Sequence, residues 1–257
     1  MENLAPNNKR IVKNTLLLYV RMLFLMVVSL YTSRVVLNAL GIEDFGIYNV
    51  VGGMVAMFSM LSGSLSAAIT RFITYELGRG DREKLRTIFS SAVTIQLGLA
   101  AIIIILAEVL GIWFLNSKMT IPLDRLAAAN WVFQFSVLTF AINLVSVPYN
   151  ASIIAHERMS AFAYISIFEA VGKLAIAYLI TISPIDRLVF YAILMCAVAL
   201  IVRFTYGIYC KRHFEECMYH FIFDKNLLKD MFGFAGWNFI GASSSVLRDQ
   251  GGNVVIN

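Results

Sequence analysis

The sequence predicts an all-α integral membrane protein of seven spans, and three observations carry that prediction. Of 257 residues, 59% are hydrophobic and 14% charged, against roughly 25% charged in an ordinary soluble protein; the mean hydropathy is +0.75. Apolar runs of twenty residues and more recur along the chain, and about 20 helical residues at about 1.5 Å of rise cross a hydrocarbon core roughly 30 Å thick. The runs are continuous rather than alternating, which excludes a β-barrel and leaves helices to satisfy the backbone in lipid.

The first span is predicted over residues 15–37, after a polar start that carries Lys9, Arg10 and Lys13. It is too long for a signal-peptide core and lacks a small-residue cleavage site, so it is expected to stay as an anchor. An acidic turn at 41–46 (GIEDFG) leads to a second span over 47–73. The basic loop 75–86 follows, then a third span over 88–115 that ends near Trp113. A fourth runs over 126–155 with Trp131 near its start, so both tryptophans fit one interfacial belt. The turn His156, Glu157, Arg158 precedes a fifth span over 161–182, and Ser183 to Asp186, with Pro184, turns the chain again. A sixth span over 188–209 ends at the longest polar linker, 210–229, beyond which 230–256 reads as a seventh.

The basic residues set an orientation. Lys9, Arg10, Lys13, Arg79, Arg82, Lys84, Arg86, Arg158, Lys211, Arg212, Lys225 and Lys229 fall on one side, while the other loops hold Lys118, Arg125 and Arg187. Such a bias places the amino terminus in the cytoplasm. It also explains the net charge of +5 without nucleic acid, because the cations sit in short loops and not in an aromatic-interleaved surface.

Six cations remain within or at the ends of spans: Arg21, Arg34, Arg71, Lys173, Arg203 and Arg248. A charge at the centre of a span costs at least ~2.5 to 3.5 kcal/mol, so these residues are expected to face a protein interior or a watery cavity. Asn14, Arg21, Val28 and Thr32 share one face of the first span. Arg34 and Arg71 lie near span ends, within reach of the interface. Glu169 and Lys173 stand at i,i+4, the favourable order for a helical ion pair, and either neutralise each other or leave Glu169 as a gating or ion-coupling group. In the second span Ser59, Gly63, Ala67 and Arg71 recur every fourth residue, a spacing that lets a neighbouring helix approach closely. The seventh span crowds Asn238, Ser243, Ser244, Ser245, Arg248, Asp249 and Gln250 into its outer part, a face that lipid would not tolerate.

No catalytic, cofactor or metal pattern emerges. His156, His213 and His220 are scattered at or beyond span ends, Cys196, Cys210 and Cys217 lack metal-ligand spacing, and no nucleotide loop or nucleophile–base pattern is present.

Four stretches together resemble Wzx-type polysaccharide flippases: 33–48 (SRVVLNALGIEDFGIY), 71–81 (RFITYELGRGD), 147–159 (VPYNASIIAHERM), and 237–241 (WNFIG) with 250–253 (QGGN). The resemblance implies the multidrug/oligosaccharidyl-lipid/polysaccharide exporter superfamily, with two six-helix lobes around a central cavity. It implies movement of an undecaprenyl-pyrophosphate-linked oligosaccharide, a lipid-linked oligosaccharide, across the bacterial inner membrane, driven by an ion gradient. On that frame residues 1–224 form an amino-terminal six-helix transporter lobe and 225–257 the first helix of a second lobe. The chain is then expected to be an incomplete transporter, with the missing second lobe and membrane lipid as partners and the seventh helix as its least secure element. A pyrophosphate calls for cations that donate forked hydrogen bonds, which makes Arg21, Lys173, Arg203 and Arg248 the candidate substrate-binding residues. A MATE-type drug or cation antiporter, a membrane enzyme of glycan polymerisation and a structural subunit are the alternatives. The first would favour acidic cavity residues and the second a large outer loop.

Overall fold

A computed structural model describes residues 4–56, 59–119, 121–183 and 185–220, together with 227, 229–231, 233, 234, 236, 237 and 241. Among them there is no β-strand. The helices are α1 (Leu4–Leu40), α2 (Ile42–Ala56), α3 (Ser59–Arg79), α4 (Arg82–Leu106), α5 (Ile112–Ser117), α6 (Leu126–Ala155), α7 (Met159–Leu179) and α8 (Arg187–His213). Among the described residues five stretches are long and apolar enough to cross a membrane: Val12–Leu40, Arg82–Ser117, Leu126–Ala155, Met159–Ile182 and Arg187–His213. The chain is an all-α, multi-pass membrane protein.

The first two turns are narrower than the sequence predicts. Gly41 alone breaks the chain between α1 and α2, at φ 85°, a backbone angle that glycine adopts without steric cost. Glu43 and Asp44 thereby fall in the first turn of α2, where carboxylates complement the helix dipole. Gly80, at φ 74°, closes α3 by donating to Glu76 O at 3.0 Å, and Asp81 caps α4 by accepting from Lys84 N at 3.0 Å.

Of the second predicted span, 47–73, α2 and α3 are described, and residues 57 and 58 between them lie outside the described residues. Its small-residue stripe does not pack inside this lobe: Gly63, Ala67 and Arg71 are exposed, while Leu65, Ala68, Ile69 and Ile73 form the buried face. The third predicted span is interrupted. A π-turn, Ala107–Gly111, separates α4 from α5. A side chain at Gly111 would place its Cβ 2.3 Å from Phe133 Cζ, so any larger residue would have to displace the buried Phe133 ring of α6.

At the centre is α6, packed against α8, α3, α4 and α2. Lipid is as apolar as leucine, so helix association rests on close packing rather than on burial from water. Small residues supply it: Ala129, Ala141, Ala151, Ser146 and Ser152 on α6 are buried, as are Ala192, Cys196 and Ala199 on α8. In contrast α1 packs chiefly on α7, through Val36 and Ala39 with Ile176, Ala177 and Ile180. Of the seventh predicted span, Asp230, Met231, Gly233, Phe234, Gly236, Trp237 and Gly241 are helical. Met231 is fully buried in the cluster that holds Ile69, Ile88 and Val147, so the start of the span is docked on the lobe.

Charge bridges tie the two ends of the bundle. At one end Arg125 Nε donates to Asp44 Oδ1 at 2.8 Å and Nη1 to Asp186 Oδ2 at 2.6 Å, with a further contact between Nη2 and Asp44 Oδ2. One guanidinium thus joins the starts of α2, α6 and α8. Burial would raise the Asp186 carboxyl, but the hydrogen bond from Arg125 holds it below the ordinary carboxylate value. At the other end His156 Nε2 meets Glu216 Oε1 at 3.1 Å, an ion contact without the alignment of a hydrogen bond. Burial lowers the His156 pKa, yet Glu216 and the Ser152 carbonyl outweigh it and leave it raised. For Glu216, burial acts upward and His156 brings the net shift below its usual value. The exposed Arg82–Glu215 pair at 2.5 Å adds little in water.

Two outcomes follow. Arg125→Ala leaves Asp44 and Asp186 unpaired and is expected to destabilise the lobe by about 1–3 kcal/mol. Because the Asp186 pKa is depressed on folding, its contribution is present above the usual carboxylate range and lost as pH falls through the folded value. The Tm gap between wild type and Arg125→Ala in nanodiscs should therefore close below about pH 4. His156 is the opposite case. Its contribution is full below its ordinary pKa near ~6.5 and disappears as pH rises through the raised folded value. The Tm gap between wild type and His156→Gln should be widest in mildly acidic buffer and shrink toward alkaline pH, and a gap that widens there would contradict the ion pair.

Candidate functional site

A cavity of about 380 Å³ opens between α1, α2, α7 and α8. The face of α1 that the sequence marks as polar supplies Arg21, Val28 and Thr32, one to two turns apart along the helix. From α7 come Ser166, Glu169 and Lys173, from α2 Tyr48 and Asn49, and from α8 Tyr191. These elements meet because α1 lies along α7 while the Gly41 turn folds α2 back beside them.

Two cations face one carboxylate here. Lys173 Nζ is 2.6 Å from Glu169 Oε1 on the same helix. The Arg21 guanidinium lies 4.3 Å from the centre of the Phe162 ring, which stabilises the cation without consuming its N–H groups. Arg21 Nε is buried and has no hydrogen-bond partner, as is Thr32 Oγ1. An unsatisfied buried donor costs about 1–3 kcal/mol, so the cavity presents hydrogen-bonding capacity that the lobe itself does not use. Tyr48 and Tyr191 form an edge contact, ring centres 4.7 Å apart, at one end of the cavity wall. Beside it the Tyr31 and Tyr178 hydroxyls meet at 2.7 Å, joining α1 to α7.

The candidate cations do not all converge. Arg21 and Lys173 share the cavity with Glu169. Arg203 is not among its lining residues and stacks on Tyr149 at 3.9 Å. Arg71 lies over Phe234 at 4.4 Å, beside a second hollow that Tyr75, Lys229 and Trp237 also line. Arg34 is exposed. Arg248 and the polar residues 243–250 lie outside the described residues. Tyr48, Asn49 and Tyr191 were not singled out by sequence: an isolated tyrosine in an apolar run carries no periodic signal, and only the fold shows what faces it. Among the described residues no group of three His, Cys, Asp or Glu could hold a metal ion.

The chemistry of the cavity is that of a binding site with a cationic bias and aromatic walls. Comparison with known proteins agrees with the resemblance that the sequence motifs carry. The family described as polysaccharide biosynthesis protein matches residues 11–257. The uncharacterized membrane protein EpsK of Bacillus subtilis (strain 168) is 22% identical over 124 residues, which is 48% of this chain and 24% of that relative's length. No solved structure matches. With the family match running over residues 11–257 and the described helices forming a membrane bundle, the chain belongs to the polysaccharide biosynthesis protein family.

Proposed function

We propose that this chain is the amino-terminal lobe of a flippase that moves undecaprenyl-pyrophosphate-linked oligosaccharide across the bacterial inner membrane for surface polysaccharide assembly. Residues 1–224 form the lobe and 225–257 begin its partner lobe, with the amino terminus in the cytoplasm. The observation that carries the reading is the cavity inside a membrane bundle in which Arg21 stands with an unpaired Nε beside Lys173, itself paired with Glu169. A pyrophosphate brings negative charge into a medium that penalises it, and guanidinium and ammonium groups already held there offset that penalty.

Arg21 and Lys173 are assigned to the anionic part of the substrate, with Arg203 and Arg248 as further cations of the path. Glu169 holds Lys173 at 2.6 Å and is assigned to gating: an incoming phosphate competes with the carboxylate for the ammonium, so binding and rearrangement of that pair are linked. The family and the cationic bias favour this carrier over a MATE-type cation antiporter, whose cargo would repel Arg21. They also favour it over a glycan polymerase.

Transport of a fluorescent lipid-linked oligosaccharide in vesicles holding the whole protein tests the assignment. Losing one charge-assisted contact of about 1.5–3 kcal/mol predicts roughly a tenfold or greater fall in transport for Arg21→Ala and for Lys173→Ala, with insertion unchanged. Normal transport by both variants would remove the cavity from the path. Arg21→Lys keeps the charge but not the fork and is expected to fall between the two.

A further inference from the structure

A groove of about 460 Å³ runs between α2, the α4–α5 stretch and α6, and it shares no lining residue with the cavity that holds Arg21. Its floor is buried, formed by Ile103, Ala107, Phe133 and Val137. Its rim is Leu106, Leu110, Trp113 and Phe114, large apolar side chains that the lobe leaves exposed. No charged, hydroxyl or amide side chain lines it. Ala107 and Gly111, the smallest residues of the π-turn, keep its middle open.

The depth of the groove is that of one leaflet. It belongs to the apolar stretch Arg82–Ser117, and from Ile103 to Phe114 the chain rises about 16 Å, half of a hydrocarbon core roughly 30 Å thick. One end therefore lies near the bilayer midplane and the other at Trp113, in the interfacial belt. A single acyl chain occupies that depth. Lipid tails are as apolar as the groove, so filling it gains nothing from burial out of water. What sets a chain seated there apart from bulk lipid is contact on several sides and whatever meets its headgroup.

At the headgroup end stands an open cation. Lys118 Nζ lies 5.8 Å from the centre of the Trp113 ring, so it is beside the mouth of the groove. The neighbouring cations of this end are engaged: Arg125 by Asp44 and Asp186, and Arg187 by Ala39 O at 3.2 Å. Lys118 is exposed, with no carboxylate at ion-pair distance among the described residues. A lysine is a compact point charge suited to a phosphate, and its flexible stem reaches along the interface.

We propose that the groove is a binding site for one phospholipid of net negative charge, an acyl chain lying between Leu106, Leu110 and Phe114 and the phosphate meeting Lys118. A zwitterionic phospholipid fits less well, because its own ammonium group competes with Lys118 for the phosphate. On the orientation proposed above, the lipid comes from the outer leaflet.

The test uses the full-length protein in phosphatidylcholine nanodiscs that hold a small share of phosphatidylglycerol with a diazirine on one acyl chain, and locates the photoadducts by peptide mass spectrometry. Adducts are expected to concentrate within residues 103–114 and 133–137 over exposed apolar positions elsewhere, such as Leu23 on α1 and Phe204 on α8. Unlabelled phosphatidylglycerol should compete about fivefold better than added phosphatidylcholine, the discrimination that one lysine at the lipid surface supplies. Lys118→Gln, a change at an exposed side chain, should bring the two competitors to parity. Adducts spread evenly over the exposed apolar faces overturn the groove as a site. Equal competition in the wild type, or an undiminished preference in Lys118→Gln, overturns the headgroup contact, and displacement by an isoprenoid phosphate in preference to phosphatidylglycerol overturns the occupant. The readout is lipid occupancy and not transport, so the result is independent of the flippase reading.

Discussion

A charge left alone in hydrocarbon costs at least ~2.5 to 3.5 kcal/mol, and the ways in which this lobe meets that cost decide which charges stay available for work. Three arginines within or at the ends of spans are met by aromatic rings: Arg21 by Phe162, Arg203 by Tyr149 and Arg71 by Phe234. A desolvated cation–π contact returns up to about 2 kcal/mol, most of the penalty, and unlike a carboxylate it leaves the cation's net charge in place. Lys173 is met instead by Glu169, and that charge reaches a ligand only by loosening a pair. Arg21 is thus a standing anion site and Lys173 a conditional one, two roles that composition alone would not separate.

The same constraint explains why the motif-bearing stretches are turns. Backbone groups in lipid must be satisfied within the helix, so a chain that crosses repeatedly needs sharp, fully bonded reversals. Gly41 and Gly80 make two of them with positive φ. Buried Glu76, four residues before Gly80, takes Lys84 at 3.1 Å and the more distant Arg79 at 3.8 Å, pinning the end of α3 to the start of α4. Residues that carry the family resemblance at 33–48 and 71–81 therefore build corners, the first of them between the cavity helices α1 and α2.

Much of the fold was legible because a membrane simplifies the code. The bounds of α6 were read directly, since Arg125 and His156 bracket a predominantly apolar run without charge, and the Glu169–Lys173 pair followed from spacing. What the sequence hid depends on departures from a regular period or on partners distant in the chain. The π-turn at Ala107–Gly111 shifts the helix phase by one residue, which no period of 3.6 anticipates. The bridge of Arg125 to Asp44 and Asp186 joins residues 81 and 61 positions apart, and the direction faced by Gly63 and Ala67 depends on which side of α3 meets α4 and α6.

These features couple the cavity to the stability of the lobe. Tyr48 and Tyr191, which form its aromatic wall, belong to α2 and α8, and those are the helices whose starts Arg125 clamps through Asp44 and Asp186. The opposite wall is held differently: α1 rests chiefly on α7, with the Tyr31 and Tyr178 hydroxyls joining them at 2.7 Å and Arg21 stacked on Phe162 of α7. The cation of α1 is thus placed by its packing on α7, and because that contact is a stacking one rather than a salt bridge, Arg21 stands in the cavity wall without tying up a carboxylate.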